Sequence, residues 1–350
     1  MTAPLMTLSD LADGAGRLQL DTDGAPVDLF RLVDLDATPQ HDAAEAAALE
    51  AMSGPTPILV GVTSRSPSSV PTRLLEAMTC TVTSSGDAGC APQRPVVEVD
   101  DVDDALADLE SAISASPIAA LTLGGLLQLT SRLPVSDGLV AESLAYSTLL
   151  AGREFAAWRS GTARRPVPDV ADPVLVSRTD DILHVTLNQP ERRNAFGRAT
   201  RDGLIEAFTL AELDHTIRRI ELSGRGPSFC SGGDLDEFGT ADDVSSAHLL
   251  RVGQSAGRAI HRSASRVRVV VHGACIGAGV EVPAFAGRVE ARKDAYFQLP
   301  ELRMGLVPGA GGTVSITRRI GRWRTAFLAL SGRPVATDVA LRWGLVDGHA

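Results

Sequence analysis

Three glycine-rich segments and two glutamates hold most of the chemistry this chain could do. GPSFCSGGDLDEF (226–238) and HGACIGAGVEV (272–282) each follow a run with strand character, and FQLPELRMGLVPGAGGT (297–313) comes third. Glycine at a strand-to-helix junction lets the backbone approach a ligand, and the first N–H groups of a helix have no partner inside it. Two such N–H groups aimed at one point form an oxyanion hole, which stabilises negative charge on a thioester oxygen. Gly233 and Ala278 stand where such donors are needed. Chemistry at the neighbouring carbons then requires a proton donor and a proton acceptor. Glu281 lies in the apolar run Val280-Glu281-Val282-Pro283-Ala284, where loss of water raises a carboxyl pKa. Glu301 follows Pro300, just before a glycine-rich turn. Two carboxyls beside one oxyanion hole suit addition or removal of water, or a proton shuttle, next to a thioester. Taken singly, Glu281 also reads as a salt-bridge partner and Glu301 as a helix-cap acid.

These segments need a frame that brings strand ends together. DILHVTLN (181–188) alternates like a strand, ATRDGLIEAFTLAEL (199–213) has the spacing of an amphipathic helix, and TIRRIELSG (216–224) is a strand again. TADDVSSAH (240–248) opens a helix running to about Arg262, and VRVVVHG (267–273) is the strand that enters the second glycine segment. This rhythm predicts an α/β domain with crossover connections. Upstream of a proline- and arginine-rich break at 161–173, VDLFRLVDL (27–35) and PILVGVTS (57–64) read as strands around an alanine-rich helix at 42–52. SSGDAGCAPQRP (84–95) reads as loop, and residues 101–160 read as successive helices.

The ordered motifs of the second half resemble the crotonase (enoyl-CoA hydratase/isomerase) family. LNQPERRNAF (187–196) is similar to that family's opening turn, SFCSGGD (228–234) to its first oxyanion-hole loop and GACIGAGVE (273–281) to its second. PELRMGLVPGAGGT (300–313) and ALRWGLVD (340–347) complete the series. The resemblance implies a spiral of ββα units. It implies oxyanion donors at Gly233 and Ala278, a base at Glu281 that activates water and an acid at Glu301 that protonates the α-carbon. Gly309 would then sit in the turn that holds the water. The implied activity is reversible hydration of a 2-enoyl-CoA thioester, with no cofactor beyond the coenzyme A of the substrate. An acyl-CoA isomerase, a C–C hydrolase, a cofactor-free oxygenase of the same superfamily, and a non-catalytic scaffold partner are the alternatives. A trimer or hexamer follows from the resemblance as well.

Departures from the pattern carry expectations of their own. Glu191 and Asp236 stand where lysines often meet coenzyme A phosphates, so Arg192 and Arg193 are the candidate substitutes. Arg266 and Arg268 fall in a strand that the family normally buries. The sequence ends at GLVDGHA, whereas residues 101–166 have the character of the three helices that close a crotonase. The expected organisation is therefore a degenerate crotonase-like α/β region at 1–100, a helical segment at 101–166 and a catalytic core at 172–350.

Composition narrows the remaining classes. Hydrophobic residues make up 44% of 350, enough for a sizeable core. A net charge of −10 argues against nucleic-acid binding, and Lys293 is the sole lysine. No apolar run reaches the length of a membrane span, and the first residues lack secretory-signal character, so a cytoplasmic location is expected. Cys80, Cys90, Cys230 and Cys275 form no C-x-x-C pair and read as buried thiols, not as metal ligands. GQSAG (253–257) fits a serine-hydrolase elbow, yet Ser255 has helical surroundings in place of the preceding strand that motif needs. The arginines from Arg318 to Arg324 read as a solvated helix face.

Overall fold

The computed structural model describes residues 4–37, 42–84, 93–166 and 170–350. Its second half winds as a spiral around two sheets. The larger contains β6 (Val174–Thr179), β7 (Ile182–Leu187), β8 (Arg219–Gly224), β9 (Val267–Val271), β11 (Arg288–Ala291) and β14 (Gly348–His349), in that spatial order. All neighbours are parallel except β6, which folds back on β7. Parallel neighbours need crossovers, and α7 (Arg198–Leu213) is the first, taking the chain from β7 to β8. The smaller sheet holds β10 (Ala274–Ile276), β12 (Tyr296–Gln298) and β13 (Val335–Ala336). A turn of the spiral thus visits the large sheet, then the small one, then a helix. β9, β10 and α10 (Ala278–Glu281) make one such ββα unit; β11, β12 and α11 (Gly312–Ser331) make the next. The chain then runs through β13 and α12 (Thr337–Trp343) to β14.

Residue alternation sets which face is buried. Val267, Val269 and Val271 of β9 point into the core, while Arg268 on the opposite face pairs with Glu290 and Glu221. Arg266 lies just before the strand and donates to the carbonyls of Ile217 and Ala211. The two arginines therefore cap and flank a strand that is buried on one face only, and neither guanidinium enters the core.

The first half builds its own parallel sheet. β1 (Leu5–Met6), β2 (Phe30–Asp34), β3 (Ile58–Val62), β4 (Cys80–Thr83) and β5 (Val96–Glu98) lie in sequential order, with α1 (Asp42–Ala51) and α2 (Thr72–Ala77) as crossovers. Four helices follow: α3 (Val102–Ala115), α4 (Pro117–Thr130), α5 (Val135–Leu150) and α6 (Arg153–Ser160). Most of the expected loop at 84–95, and part of the break at 161–173, lie outside the described residues.

The two halves share one hydrophobic core. Val60, Leu109 and Leu127 belong to the same buried cluster as Val269, Ile316 and Leu328. Of the arginines of α11, Arg318 is exposed as the expected solvated face would be, whereas Arg319 and Arg322 are half-buried and Arg324 is buried. Arg318 donates to the Leu133 carbonyl at 2.7 Å, Arg322 to the carbonyls of Glu76 and Met78, and Arg324 to that of Gln93 at 3.1 Å. Arg324 is buried beneath the first half. A guanidinium presents several donors in a fixed fork, so it can satisfy carbonyl groups at the end of a neighbouring sheet.

Candidate active site

The two oxyanion loops are locked together by backbone pairing. Cys230 and Cys275 form a parallel bridge, with the Cys230 N–H donating to Ala274 and the Ile276 N–H to Cys230. Asn194 holds the first loop in place. Its amide donates to the carbonyls of Arg225, Ser228 and Phe229, and its oxygen accepts from the Gln189 N–H. His272 adds a tether to the Gly226 carbonyl at 2.9 Å. Gly233 and Ala278 each lie three residues beyond the bridged cysteines, and both line one cavity of 380 Å³. Neither N–H has an acceptor among the described residues. Ala278 is the first residue of α10, where an N–H is left over by the helix itself. Gly277 before it has φ 49° and ψ −119°, a conformation open to glycine, and a Cβ there would lie 2.5 Å from Glu301 Oε1.

Glu281 and Glu301 both reach this cavity. Glu281 Oε2 accepts from the N–H groups of Ala310 at 2.7 Å and Gly312 at 2.9 Å. Burial nonetheless raises its pKa to about 7, with those two N–H groups pulling the other way. Glu301 begins the turn after Pro300, and its Oε2 is buried with no hydrogen-bond partner among the described residues. Burial first, and then the charge of Glu281, push its pKa well above the ordinary carboxyl value. Both carboxyls are therefore harder to ionise than in water, but they differ in their partners: two N–H groups favour the charged form of Glu281, and none reaches Glu301 Oε2 among the described residues.

A third carboxylate, absent from the sequence-based site, completes the turn. Glu142 on α5 is 2% exposed and accepts from Gly311 N–H at 2.7 Å, Thr313 N–H at 2.9 Å and Thr313 Oγ1 at 2.7 Å. Four successive N–H groups at the start of α11 therefore alternate between Glu281 (Ala310, Gly312) and Glu142 (Gly311, Thr313). Burial, then the charge of Glu281, raise the Glu142 pKa to about 8. The signal that singled out Glu281, a glutamate in an apolar run, is also present in Leu139-Val140-Ala141-Glu142. The likeness of residues 101–166 to closing helices pointed to packing on the core, but it did not say which turn the helix carrying Glu142 would meet, 169 residues away.

The other expected residues divide. Gly309 lines the cavity, packed so closely against Tyr146 that a Cβ would lie 2.4 Å from its ring. Arg192 and Arg193 do not line it. Arg192 is held by Asp234 at 2.6 Å and Asp236 at 3.2 Å beside a separate small cleft, and Arg193 is an exposed turn residue. Asp236, expected only as a missing lysine, is thus the anchor for Arg192 and for Arg165. The arginines that line the cavity are Arg198, Arg201 and Arg251. The helix expected to run from about 240 to 262 is broken in two, α8 (Val244–Gly253) and α9 (Ala256–Arg262). Ser255 is the N-cap of α9, where its Oγ accepts from the Arg258 N–H; no strand precedes it, so it is no nucleophile elbow. Cys230 is buried, which pushes its thiol up to about 12 and makes it a packing residue.

Known proteins resemble the second half of this chain in sequence. The enoyl-CoA hydratase/isomerase family model matches residues 177–349. The mevalonyl-coenzyme A hydratase of Aspergillus fumigatus is 32% identical over 180 residues, which cover 51% of this chain and 67% of that protein. The 2,3-dehydroadipyl-CoA hydratase of Escherichia coli is 31% identical over 174 residues, covering 50% and 68%. The mitochondrial Delta(3,5)-Delta(2,4)-dienoyl-CoA isomerase of Mus musculus is 32% identical over 185 residues, covering 49% and 57%. With the spiral of ββα units, the paired glycine loops and these relatives in hand, the chain belongs to the enoyl-CoA hydratase/isomerase (crotonase) family.

Proposed function

We propose that the protein adds water reversibly across the double bond of a 2-enoyl-coenzyme A thioester. The thioester oxygen accepts from the Gly233 and Ala278 N–H groups, which stabilise the enolate as it forms. Glu281, as carboxylate, removes a proton from water as its oxygen attacks the β-carbon. Glu301, as carboxylic acid, gives its proton to the α-carbon. The elements of water are then added, and the two glutamates have exchanged roles until a proton returns from Glu281 to Glu301. The observation that carries this reading is the pair of buried carboxyls with raised pKa values in one cavity with two unused N–H groups. Glu142 is a positioning residue in this scheme, because it fixes the turn whose other N–H groups orient Glu281. As drawn, the reaction uses no metal or redox cofactor.

The same carboxyls could move a proton along an acyl chain without adding water, and one relative is an isomerase, so isomerisation is the second reading. The test is incubation of the full chain with crotonyl-coenzyme A in ¹⁸O-labelled water. Label in a 3-hydroxyacyl product is expected, with Glu281→Gln and Glu301→Gln each slower by about 10²–10⁴-fold. Proton exchange or double-bond migration without label would favour the isomerase. Tight thioester binding with no chemistry on a panel of chain lengths would favour the non-catalytic scaffold.

A further inference from the structure

Arg251 of α8 brings a guanidinium to the wall of the cavity, among Leu139, Leu150, Val244 and Leu250. It stacks 4.8 Å over the Tyr146 ring, donates from Nε to Ser143 Oγ at 3.3 Å and donates from Nη2 to Ser147 Oγ. Its partners are neutral, and no carboxylate pairs with it among the described residues. Glu142 is near enough to favour the charged form, yet both its oxygens are held by Gly311 and Thr313. Arg201, on the same cavity, is already paired with Asp202, and Arg198 is exposed. Arg251 is half-buried, and even partial desolvation of a cation without a counter-ion is costly; two serines and an aromatic ring that fix its plane do not neutralise it.

We propose that Arg251 receives a second anionic group on the substrate, so that the acyl chain ends in a carboxylate. A planar fork held by Ser143, Ser147 and Tyr146 is pre-organised for a carboxylate. The position argues for an acyl group over coenzyme A. Tyr146, on which Arg251 lies, packs on Gly309 in the turn that leads to Ala310 and Gly312, the partners of Glu281, so the guanidinium stands near the reacting end. The phosphates of coenzyme A are separated from the thioester by the whole pantetheine arm. The same proximity selects a short dicarboxylic mono-thioester. This inference rests on the reading that the cavity takes an acyl thioester, but it does not need the hydration step.

Saturated thioesters separate the two, because they bind without reacting. Calorimetry on the full chain compares glutaryl-coenzyme A with valeryl-coenzyme A, matched in chain length and differing in the terminal carboxylate. Wild type is expected to bind the glutaryl thioester about tenfold tighter or more, a preference that Arg251→Met reduces to about one and Arg251→Lys to an intermediate value. If Arg251→Met does not fold by circular dichroism, the wild-type and Arg251→Lys preferences decide. Equal binding of both thioesters by wild type overturns the proposal, as does a weakening of both alike in either variant. A clear preference together with no hydration of any enoyl thioester would leave Arg251 as the anion receptor and remove the hydratase reading.

Discussion

Glu281, Glu301 and Glu142 are three carboxyls that folding makes harder to ionise, and this has a thermodynamic sign. The pKa of Glu281 rises from 4.5 to about 7 on folding. Below pH 4.5 both states hold the proton. As pH climbs from there to about 7 the unfolded chain releases it while the folded one keeps it, so stability falls through that window. A shift of this size corresponds to about 3 kcal/mol, or a fall in Tm of several degrees. Asp36 has the opposite sign, but its pKa is lowered to about 2, so its contribution is lost only below pH 4. His261, whose pKa is lowered by burial and by Arg318, opposes the trend within the window. It is common to wild type and variant and drops out of their difference. Thermal scans at pH 5 and pH 8 are therefore expected to show a smaller loss of Tm for Glu281→Gln than for wild type. Equal losses would mean that Glu281 ionises as freely in the fold as outside it.

At the level of elements, the short helix α10 gives the oxyanion hole its cleanest test. Ala278 is its first residue, a position where proline breaks no intrahelical bond and its ring suits the backbone. Ala278→Pro removes the N–H, and because a proline ring also constrains the backbone its folding is verified first by circular dichroism. A folded variant is expected to lose about 10²–10³-fold in kcat, as for other single oxyanion donors, and full activity would exclude this N–H from the reaction. The same region shows what could be read from residue order. β7, α7, β8 and β9 followed from periodicity, and the glycine loops from their position at strand ends. The division of α8 from α9 did not, because Ala256, Ala259 and Ile260 keep helical spacing after the Ser255 cap, and a periodic pattern does not register a one-residue change of direction. Arg251 was hidden for a related reason. Its meaning depends on Ser143, Ser147 and Tyr146, which belong to another helix more than 100 residues earlier.

For the molecule as a whole, the question is whether residues 172–350 form a unit. The expected division into 1–100, 101–166 and 172–350 stands as a proposal, including descent of the first sheet from a crotonase-like ancestor. The sequential parallel order of β2 to β5 supports it. The contacts support a stronger dependence than linkage. Removing residues 1–171 would strip Glu142 from Gly311 and Thr313, Thr130 from the Thr313 carbonyl and the carbonyl partners from Arg322 and Arg324. Each buried donor left without a partner costs about 1–3 kcal/mol, and each large apolar side chain returned to water about 1.5–3 kcal/mol. A marginally stable domain cannot absorb many of either. A 172–350 fragment is expected to aggregate or to be inactive, with partial rescue on co-expression of 1–171. A soluble fragment as active as the full chain would show the first half to be an appendage.

The helices that close the site precede it in the chain, and this orders events during synthesis. Glu142 and Thr130 leave the ribosome 169 and 183 residues ahead of the backbone groups they bond. At roughly 5–20 residues per second that interval is on the order of ten seconds or more. Throughout it the faces of α4 and α5 that will meet α11 have no surface to cover. Contacts so distant in sequence also form slowly once both partners exist. The nascent chain therefore passes through a period as a lid without a body, a species whose apolar surface a holding chaperone would bind and a protease would find.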